Sequence, residues 1–455
     1  MTIASINPAT GVLVRSFDPF GDAAVDAALE RAIGAASSWR QATPQARGAL
    51  LSAVADRLDA DRDALAAIAT MEMGKTLRSA RAEVAKCAMA ARHYAAHGAA
   101  ALATEQFSDG SITGAVRYDP IGVVLAVMPW NFPYWQVIRA AVPAIAAGNA
   151  MILKHASNVP QCALAIERIF REAGAPDGLF TTLLVPASSV GRIIADPRVA
   201  AVTLTGSEVA GRDVAAHAGR SIKKAVLELG GSDPFIVLHD ADVASAVEVG
   251  VTARMQNNGQ SCICAKRFIV DERVADDFES RFVARVRGLV VGDPASDGTD
   301  VGPLSTSKGR DDLAGQVART VAAGARVAAG GALVKGPGWF YAPTVLLDVP
   351  RDSAAGTEEL FGPVAPIFRV RGVDEAIAVA NGTRFGLGAA VWTRNPATAD
   401  RCVAELDSGM VFVNAMVASD PRLPFGGVKA SGFGREVGVH GIREFVNIKT
   451  VRGGA

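Results

Sequence analysis

The chain has 455 residues, and its 46 lysine and arginine residues balance 46 aspartate and glutamate residues, so the formal net charge at pH 7 is zero. This balance excludes the basic surface on which nucleic-acid binding depends. Half of the residues are hydrophobic and 20% are charged, which excludes a disordered chain; the length suits two or three folding units.

Membrane and secretory patterns are absent from the sequence. Charged residues such as Arg92, Lys154 and Arg168 interrupt the alanine-rich stretches before an apolar run reaches the roughly 20 residues that a span needs. The N-terminal residues lack a basic segment followed by an apolar one. Five cysteines are an odd, sparse set that is typical of a reducing compartment. We therefore expect a cytoplasmic protein.

Helical periodicity dominates the first hundred residues. Val25, Leu29 and Ile33 recur on one helical face, and Thr43 before Pro44 is typical of a helix start. Helices are predicted over residues 22–39, 44–58, 61–73 and 72–98.

From residue 123 on, short apolar runs alternate with helical segments. Strands are predicted at residues 123–127, 151–153, 181–185, 202–205, 227–229, 235–238, 268–270 and 411–414. Helices are predicted at residues 133–147, 160–173, 274–289, 313–323 and 376–380. This alternation is typical of βαβ units and a parallel sheet, whose ligands bind at the carboxyl ends of the strands. Residues 117–119 are a candidate for an antiparallel excursion, the tail at 445–451 alternates weakly, and both segments are candidates for an interface.

A cysteine in a turn rich in glycine and asparagine is the strongest local feature. Cys262 follows Asn-Asn-Gly-Gln-Ser at residues 257–261. Backbone N–H groups in such a turn can lower a thiol pKa and bind an oxyanion. Taken alone, a small buried cysteine beside a turn is an equally good interpretation. Metal binding by Cys262 and Cys264 is not favoured, because there is no second cysteine pair and the histidines are scattered.

Four further features follow predicted strands. Glu228 lies where partial burial raises a carboxyl pKa toward that of a general base. Asn131, within Pro-Trp-Asn-Phe-Pro, offers an amide donor to an oxyanion. Gly206 and Ser207 open a helix whose N–H groups can hold an anion, and Lys154 offers a cation to a ribose or phosphate. Each feature alone has an ordinary interpretation as a turn or solvent-facing residue.

In this order, the motifs resemble those of the aldehyde dehydrogenase superfamily. Between about Asn7 and Thr450 the chain carries Pro-Trp-Asn-Phe-Pro, a strand-end lysine, Thr-Gly-Ser, Glu-Leu-Gly-Gly, Gly-Gln-Ser-Cys, Glu-Glu-Leu-Phe-Gly-Pro and Pro-Phe-Gly-Gly-Val-Lys. The last third, with Lys154-His155-Ala156, is most similar to the bacterial NAD(P)-dependent succinate-semialdehyde dehydrogenases.

The resemblance implies an α/β fold in three parts. A Rossmann-type dinucleotide-binding domain would comprise residues 1–110 and 124–230, and a catalytic α/β domain residues 231–435. Residues 111–123 and 436–455 would form a small bridging β element that pairs subunits in a homodimer or homotetramer. The implied cofactor is NAD or NADP, with no metal.

The resemblance also implies roles for individual residues. Cys262 is the nucleophile, Glu228 is the general base, and the Asn131 side chain and the Cys262 N–H form the oxyanion hole. The implied cofactor-binding residues are Trp130, Lys154, Ser157, Gly206, Ser207, Leu229, Glu359 and Phe361. Lys154 would hold the adenosine ribose, Ser207 the pyrophosphate and Glu359 the nicotinamide ribose.

Departures from the family pattern bear on the cofactor and the substrate. Ser157 stands where many NAD-preferring relatives carry a glutamate that would repel a 2′-phosphate, so NADP is tolerated. Arg139 and Ser431 match substrate-binding positions. Gln256 replaces an arginine that grips the substrate carboxylate, and a neutral amide is a weaker partner. Arg422 is a candidate replacement.

The expected reaction is oxidation of succinic semialdehyde to succinate; the alternative is a broader-specificity aliphatic or aromatic aldehyde dehydrogenase. A CoA-acylating relative would lack the carboxylate of Glu228, and a non-enzymatic binding protein would have lost Cys262 or Glu228. Cys264 is either a small core residue or the partner of Cys262 in a reversible disulfide.

Overall fold

The computed structural model describes residues 3–109 and 112–453. Four of the predicted domain boundaries, at residues 1, 110, 111 and 455, therefore lie outside the described residues. The described chain begins with β1 (Ile3–Asn7), β2 (Val12–Phe17), α1 (Asp22–Trp39), α2 (Pro44–Ala60), α3 (Arg62–Met73) and α4 (Leu77–Ala101). The first two strands form an antiparallel hairpin that the helical interpretation missed. Gly74, with φ of 84°, ends α3 and interrupts the helix predicted over residues 72–98.

Strands and helices then alternate as predicted. They are β3 (Glu105–Ser108), β4 (Thr113–Pro120), β5 (Val123–Met128), α5 (Trp135–Ala146), β6 (Ala150–His155), α6 (Pro160–Glu172), β7 (Phe180–Thr182), α7 (Val190–Ala195), β8 (Val199–Thr205), α8 (Glu208–Arg220) and β9 (Lys224–Glu228).

The second half contains β10 (Pro234–Val237), α9 (Val243–Met255), β11 (Arg267–Asp271), α10 (Glu272–Arg287), α11 (Ser307–Ala322), β12 (Arg326–Ala329), β13 (Thr344–Leu347), α12 (Ala354–Thr357), β14 (Val364–Val370), α13 (Gly372–Asn381), β15 (Gly388–Trp392), α14 (Pro396–Glu405), β16 (Met410–Val413), β17 (Gly432–Phe433), α15 (Gly438–Ile442) and β18 (Val446–Arg452).

Two large sheets carry the fold. The first has the order β17-β9-β8-β5-β6-β7 and is parallel except for β17. The second has the order β12-β13-β14-β11-β10-β15-β16 and is parallel except for β12. The central strands are nearly continuous apolar runs, as expected where helices cover both faces of a sheet.

A small antiparallel sheet of order β18-β4-β3 completes the fold. β18 pairs with β4 from Val446 opposite Pro120 to Arg452 opposite Gly114, which confirms the antiparallel excursion. The domain boundaries stay a prediction, because sheet membership runs across them. β3 precedes residue 111 yet joins the small sheet, and β17 precedes residue 436 yet joins β9 of the first large sheet.

Within residues 3–109 and 112–453, no helix combines the length and the apolar character needed to cross a bilayer.

Candidate active site

The carboxyl ends of β5, β6, β8 and β9 meet at one edge of the six-stranded sheet. Lys154 of β6 and Leu204 of β8 both pair with Val127 of β5, and Glu228 of β9 lies opposite Thr205 of β8. The Pro-Trp-Asn-Phe-Pro turn after β5 therefore lies between the strand-end lysine and the start of α8. Parallel strands thus bring motifs that are far apart in sequence to one crevice.

Cys262 follows a constrained turn after α9. Asn257, Asn258 and Gly259 adopt left-handed conformations with φ of 54°, 58° and 73°, which asparagine and glycine accept at the lowest cost. The Asn257 Nδ2 donates to the backbone oxygen of Asn131 at 2.8 Å. This turn fixes the thiol beside the Pro-Trp-Asn-Phe-Pro segment.

Two cavities meet at Cys262. The strand-end cavity, of about 300 Å³, is lined by Asn131 and by six predicted cofactor residues: Trp130, Gly206, Ser207, Leu229, Glu359 and Phe361. The helix-face cavity, of about 230 Å³, lies between α4, α5 and the loop after β16, and its walls include Lys86, Arg139, Gln256 and Ser419. Cys262 and Gln136 line both cavities, so the thiol can be reached from either side.

Burial dominates the electrostatics of the thiol. It raises the pKa of Cys262 to about 12, against the opposing charges of Arg139 and Lys266. The Lys266 Nζ donates to the Cys262 carbonyl at 2.5 Å and forms an ion pair with Glu359 at 3.0 Å. At neutral pH the thiol keeps its proton, so its reaction as a nucleophile requires a base.

Asn131 and Glu228 are both buried with unpaired oxygens. The Asn131 Nδ2 donates to the Gln260 carbonyl at 3.1 Å, and the Oδ1 has no hydrogen-bond partner among the described residues. Neither carboxyl oxygen of Glu228 has one either. Burial and the nearby Glu436 raise the pKa of Glu228 well above its usual range, although Arg139 opposes them.

Glu228 faces away from the cavities. A Cβ built on Gly426 would lie 2.7 Å from its Oε1, and the described residues that line the two cavities do not include it. The structure therefore brings Cys262 and Asn131 together and holds Glu228 behind them, on the side of Arg139 and Glu436.

Glu359 and the ring pair beside it complete the strand-end cavity. Glu359 accepts from the Gly231 N–H at 3.1 Å. Gly230 permits this approach, because a Cβ there would lie 2.3 Å from Oε2 of Glu359. The rings of Trp130 and Phe361 pack edge to face, with their centroids 5.8 Å apart. A carboxylate for ribose hydroxyls beside an aromatic wall fits a nicotinamide ribose.

Ser207 at the edge of this cavity, and Lys154 and Ser157 outside its lining, offer groups that suit the rest of a dinucleotide. Ser207 is the N-cap of α8, where its hydroxyl accepts from Ala210 N–H and the first N–H groups of the helix remain available to a phosphate. Lys154 is buried at the end of β6, which lowers its pKa. Within the described chain no carboxylate lies within 4 Å of its Nζ, as the absence of an ion pair shows. Ser157 is half-buried nearby in sequence.

Known proteins share the sequence and the fold of this chain. Residues 1–451 match the aldehyde dehydrogenase family. The chain belongs to the aldehyde dehydrogenase family. The NADP(+) succinate-semialdehyde dehydrogenase of Mycobacterium avium (strain 104) is 55% identical over 99% of this chain and 96% of its own. That of Mycobacterium tuberculosis (strain H37Rv) is 54% identical over 99% of both chains. The crystal structure of succinic semialdehyde dehydrogenase from Streptococcus pyogenes in complex with NADP+ is 38% identical, with a TM-score of 0.97 over 99% of both chains.

The three substrate residues expected from the family pattern occupy different environments in this aldehyde dehydrogenase. Arg139 lines the helix-face cavity, but it forms an ion pair with Glu436, donates to Thr205 at 3.2 Å and is 1% exposed. Gln256 lines the same cavity and donates to Ala253 O at 3.4 Å.

Ser431 lies outside both cavities. It is fully buried, its hydroxyl donates to Gly230 O at 2.7 Å, and it accepts from Gly386 N–H at 3.0 Å. Arg422 is exposed and forms an ion pair with Asp420 at 2.6 Å. Neither side chain is therefore brought to the substrate position in this structure.

The sequence motifs assigned no role to four further residues of this aldehyde dehydrogenase. Lys266 holds the cysteine turn and Glu359 together, while Lys86 and Ser419 line the helix-face cavity. Lys266 follows Cys262 by four residues, a signal that was available in the sequence. The other two lie on a helix face and in a distant loop, so only the tertiary fold reveals them.

His155, the fourth, fixes the turn that carries Asn131. Its Nε2 lies 2.9 Å from Pro133 O, and its Nδ1 lies 3.2 Å from Met128 O and 2.9 Å from the Ala156 N–H, so the ring contacts backbone on both sides of the turn. Burial lowers the pKa of His155 to about 4, which keeps the ring neutral. The histidine of the Lys-His-Ala motif thus supports the Pro-Trp-Asn-Phe-Pro turn.

Cys264 is fully buried, and its Sγ lies 3.8 Å from the Gln256 carbonyl. All five cysteines are free. The disulfide with Cys262 stays a hypothesis, and core packing accounts for Cys264 as it stands.

Proposed function

We propose that this aldehyde dehydrogenase oxidises succinic semialdehyde to succinate with NADP+ or NAD+ as the hydride acceptor. The observation that carries the proposal is the position of Cys262, which is shared by a cavity suited to a dinucleotide and a cavity with basic residues in its wall. The names of relatives at 55% and 54% identity support the choice of substrate.

In the proposed reaction the Cys262 thiol loses its proton to a base and its sulfur adds to the aldehyde carbon, which gives a thiohemiacetal. The Asn131 amide and the Cys262 N–H donate to the oxyanion that develops on the aldehyde oxygen. The bound nicotinamide supplies the acceptor for the hydride that the thiohemiacetal carbon must lose. Cys262 then carries a thioester, and water attacks its carbonyl to release the acid and the free thiol.

Glu228 is the proposed base, and it can act only after its side chain has moved. Its carboxyl faces Gly426 rather than Cys262, so it must rotate about its side-chain bonds to reach the thiol or the attacking water. Because its pKa is raised, the ionised carboxyl of Glu228 is a stronger base than an ordinary carboxylate. The charge of Arg139 partly opposes the rise in the pKa of Glu228 that burial and Glu436 cause.

NADP+ is the cofactor that the proposal favours. Ser157 is uncharged where a carboxylate would repel a 2′-phosphate, and the nearby Lys154 has no carboxylate partner among the described residues. The two mycobacterial relatives are named for NADP(+), and the Streptococcus pyogenes structure contains NADP+.

We also propose that the chain forms a homodimer or homotetramer in the cytoplasm through the small antiparallel sheet. Among the described residues its outer strands β18 and β3 each pair on one side only, and they carry exposed Ile448 (61%) and Phe107 (54%). Light scattering of the purified protein measures the subunit number. A monomer would contradict this part of the proposal.

The test is a matrix of initial rates. Succinic semialdehyde, glutaric semialdehyde, butanal and benzaldehyde are each combined with NAD+ and NADP+, and reduced cofactor is followed at 340 nm. We expect kcat/KM to be highest for succinic semialdehyde with NADP+, well above butanal of the same chain length. Equal values for these two four-carbon aldehydes would favour the alternative, a broader-specificity enzyme, which the neutral Gln256 keeps open.

A further inference from the structure

The helix-face cavity contains two basic side chains whose charges are differently compensated. Arg139 forms an ion pair with Glu436, donates to Thr205, and stacks on the ring of Phe425 with its guanidinium carbon 4.4 Å from the centroid. A cation held this closely by a carboxylate has little net charge left for a second anion.

Lys86, on α4, is the other cation. Its Nζ donates to the Ser419 hydroxyl at 2.5 Å and lies 4.5 Å from the ring centroid of Trp135. Within residues 3–109 and 112–453 its Nζ has no carboxylate within 4 Å, whereas the neighbouring Lys75 forms an ion pair with Glu83. Lys86 is therefore a half-buried ammonium that forms no direct ion pair with a described carboxylate, in the cavity that also holds Cys262.

We propose that Lys86, together with Ser419, binds the carboxylate of the semialdehyde substrate and selects it over uncharged aldehydes. This inference rests on the proposed function and names the residues that would give it specificity. Lys86 would make the carboxylate contact that the family pattern assigns to Arg139 and to an arginine at the position that Gln256 occupies here.

The donor geometry suits a carboxylate. An ammonium has three donors, of which the Ser419 hydroxyl takes one. Because that hydroxyl accepts from Lys86, its own proton is free to be donated. Lys86 and Ser419 together thus offer a cation and a neutral donor to two carboxylate oxygens, and the Trp135 face excludes water from one side.

The groups around Lys86 tune its charge. Burial and Arg139 on α5 lower the pKa of Lys86 to about 8, against Cys87 and Glu83 on its own helix and Asp420 in the loop. Asp420 itself is engaged by Arg422. The Lys86 amine is thus mostly protonated at neutral pH and loses its proton and its charge above about pH 8. Carboxylate binding therefore weakens as the pH rises through that value.

The test compares Lys86→Met with wild type on succinic semialdehyde and butanal, with Lys308→Met on exposed α11 as the matched control. We expect Lys86→Met to lower kcat/KM for succinic semialdehyde about 10- to 100-fold more than for butanal, mainly through KM. Lys86→Arg should restore part of the preference, and Ser419→Ala should remove a smaller part. Equal losses for both aldehydes, or none, would overturn the inference.

A second measurement uses only the wild-type protein. The ratio of kcat/KM for succinic semialdehyde to that for butanal is expected to be constant below about pH 8 and to fall above it, because titration of Cys262 and Glu228 cancels in the ratio. A ratio that does not change up to pH 9.5 overturns the role of Lys86 even if Lys86→Met fails to fold. If wild type prefers succinic semialdehyde but Lys86→Met keeps that preference, the proposed function stands and only this inference fails.

Discussion

The two cavities that meet at Cys262 are built in different ways. The walls of the strand-end cavity come largely from turns at the ends of parallel strands and from the loop of Glu359, and its charges are paired within the protein, as in Lys266 with Glu359. The helix-face cavity is walled by side chains of α4 and α5 and by the loop at residues 416–419, and its Lys86 forms no ion pair within the described part of the chain.

This difference suggests separate roles: the strand-end cavity serves every substrate in the same way, and the helix-face cavity distinguishes one substrate from another. Turns fixed by the sheet give the same backbone donors to every cofactor molecule. Side chains on helix faces can be exchanged without moving the backbone, so the helix-face cavity is where selectivity is adjusted.

The largest expected effect comes from removal of the Cys262 thiol, which should abolish turnover and leave cofactor binding intact. Cys262→Ala should lower kcat/KM by at least about 10⁴-fold, because no other thiol lines either cavity within the described chain. NADP+ binding, followed by fluorescence quenching, should change little. Cys264→Ala is the matched control and should keep most activity. Substantial turnover by Cys262→Ala would refute the thioester route.

The oxyanion contact should be common to both cavities. Asn131→Ala removes one donor and is expected to lower kcat by about 10²–10³-fold, to the same extent for succinic semialdehyde and butanal. Steady-state rates with both aldehydes measure this. A loss confined to one aldehyde would show that Asn131 serves substrate selection instead.

Cofactor choice should be adjustable without touching the helix-face cavity. Ser157→Glu places a carboxylate where a 2′-phosphate would lie, and should lower the kcat/KM ratio of NADP+ to NAD+ about 10- to 100-fold. Ser157→Gln, similar in size and uncharged, is the control. The KM for the aldehyde should stay the same in both variants. An unchanged cofactor ratio in Ser157→Glu would place the 2′-phosphate elsewhere.

The smallest effect tests whether Ser431 belongs to either cavity. Ser431→Ala leaves Gly230 O and Gly386 N–H without a partner, and should lower the free energy of unfolding by about 1–3 kcal/mol. Denaturant unfolding measures this. Relative rates on succinic semialdehyde and butanal should stay the same; a selective rise in KM for the charged aldehyde would return Ser431 to the substrate residues.

Sequence reasoning succeeded where local pattern and tertiary structure coincide. The helix after Thr43-Pro44, the βαβ alternation and the turn at residues 257–259 follow from caps, periodicity and residues that accept positive φ. The hairpin at residues 3–17 was missed because its exposed second strand lacks a buried face to give alternation.

The candidate site shows the same contrast between residues that local motifs predict and residues that only the tertiary fold brings together. Six of the eight expected cofactor residues line the strand-end cavity: four follow strands of the first sheet, and Glu359 and Phe361 come from the loop before β14. Lys86 and Ser419 meet across 333 residues of sequence, and no local signal links a lysine on an alanine-rich helix to a serine in a distant loop. Their pairing is set only by helix packing.

The return of β17 to the first sheet has a consequence for biosynthesis. β9 gains its outer neighbour only from Gly432 and Phe433, and Glu436 accepts from Thr203 across 233 residues. During translation the cofactor-side sheet is therefore exposed long before these partners leave the ribosome. Arg139 meanwhile lacks Glu436, the carboxylate with which it forms an ion pair, so the nascent chain cannot complete this centre until residue 436 has been made.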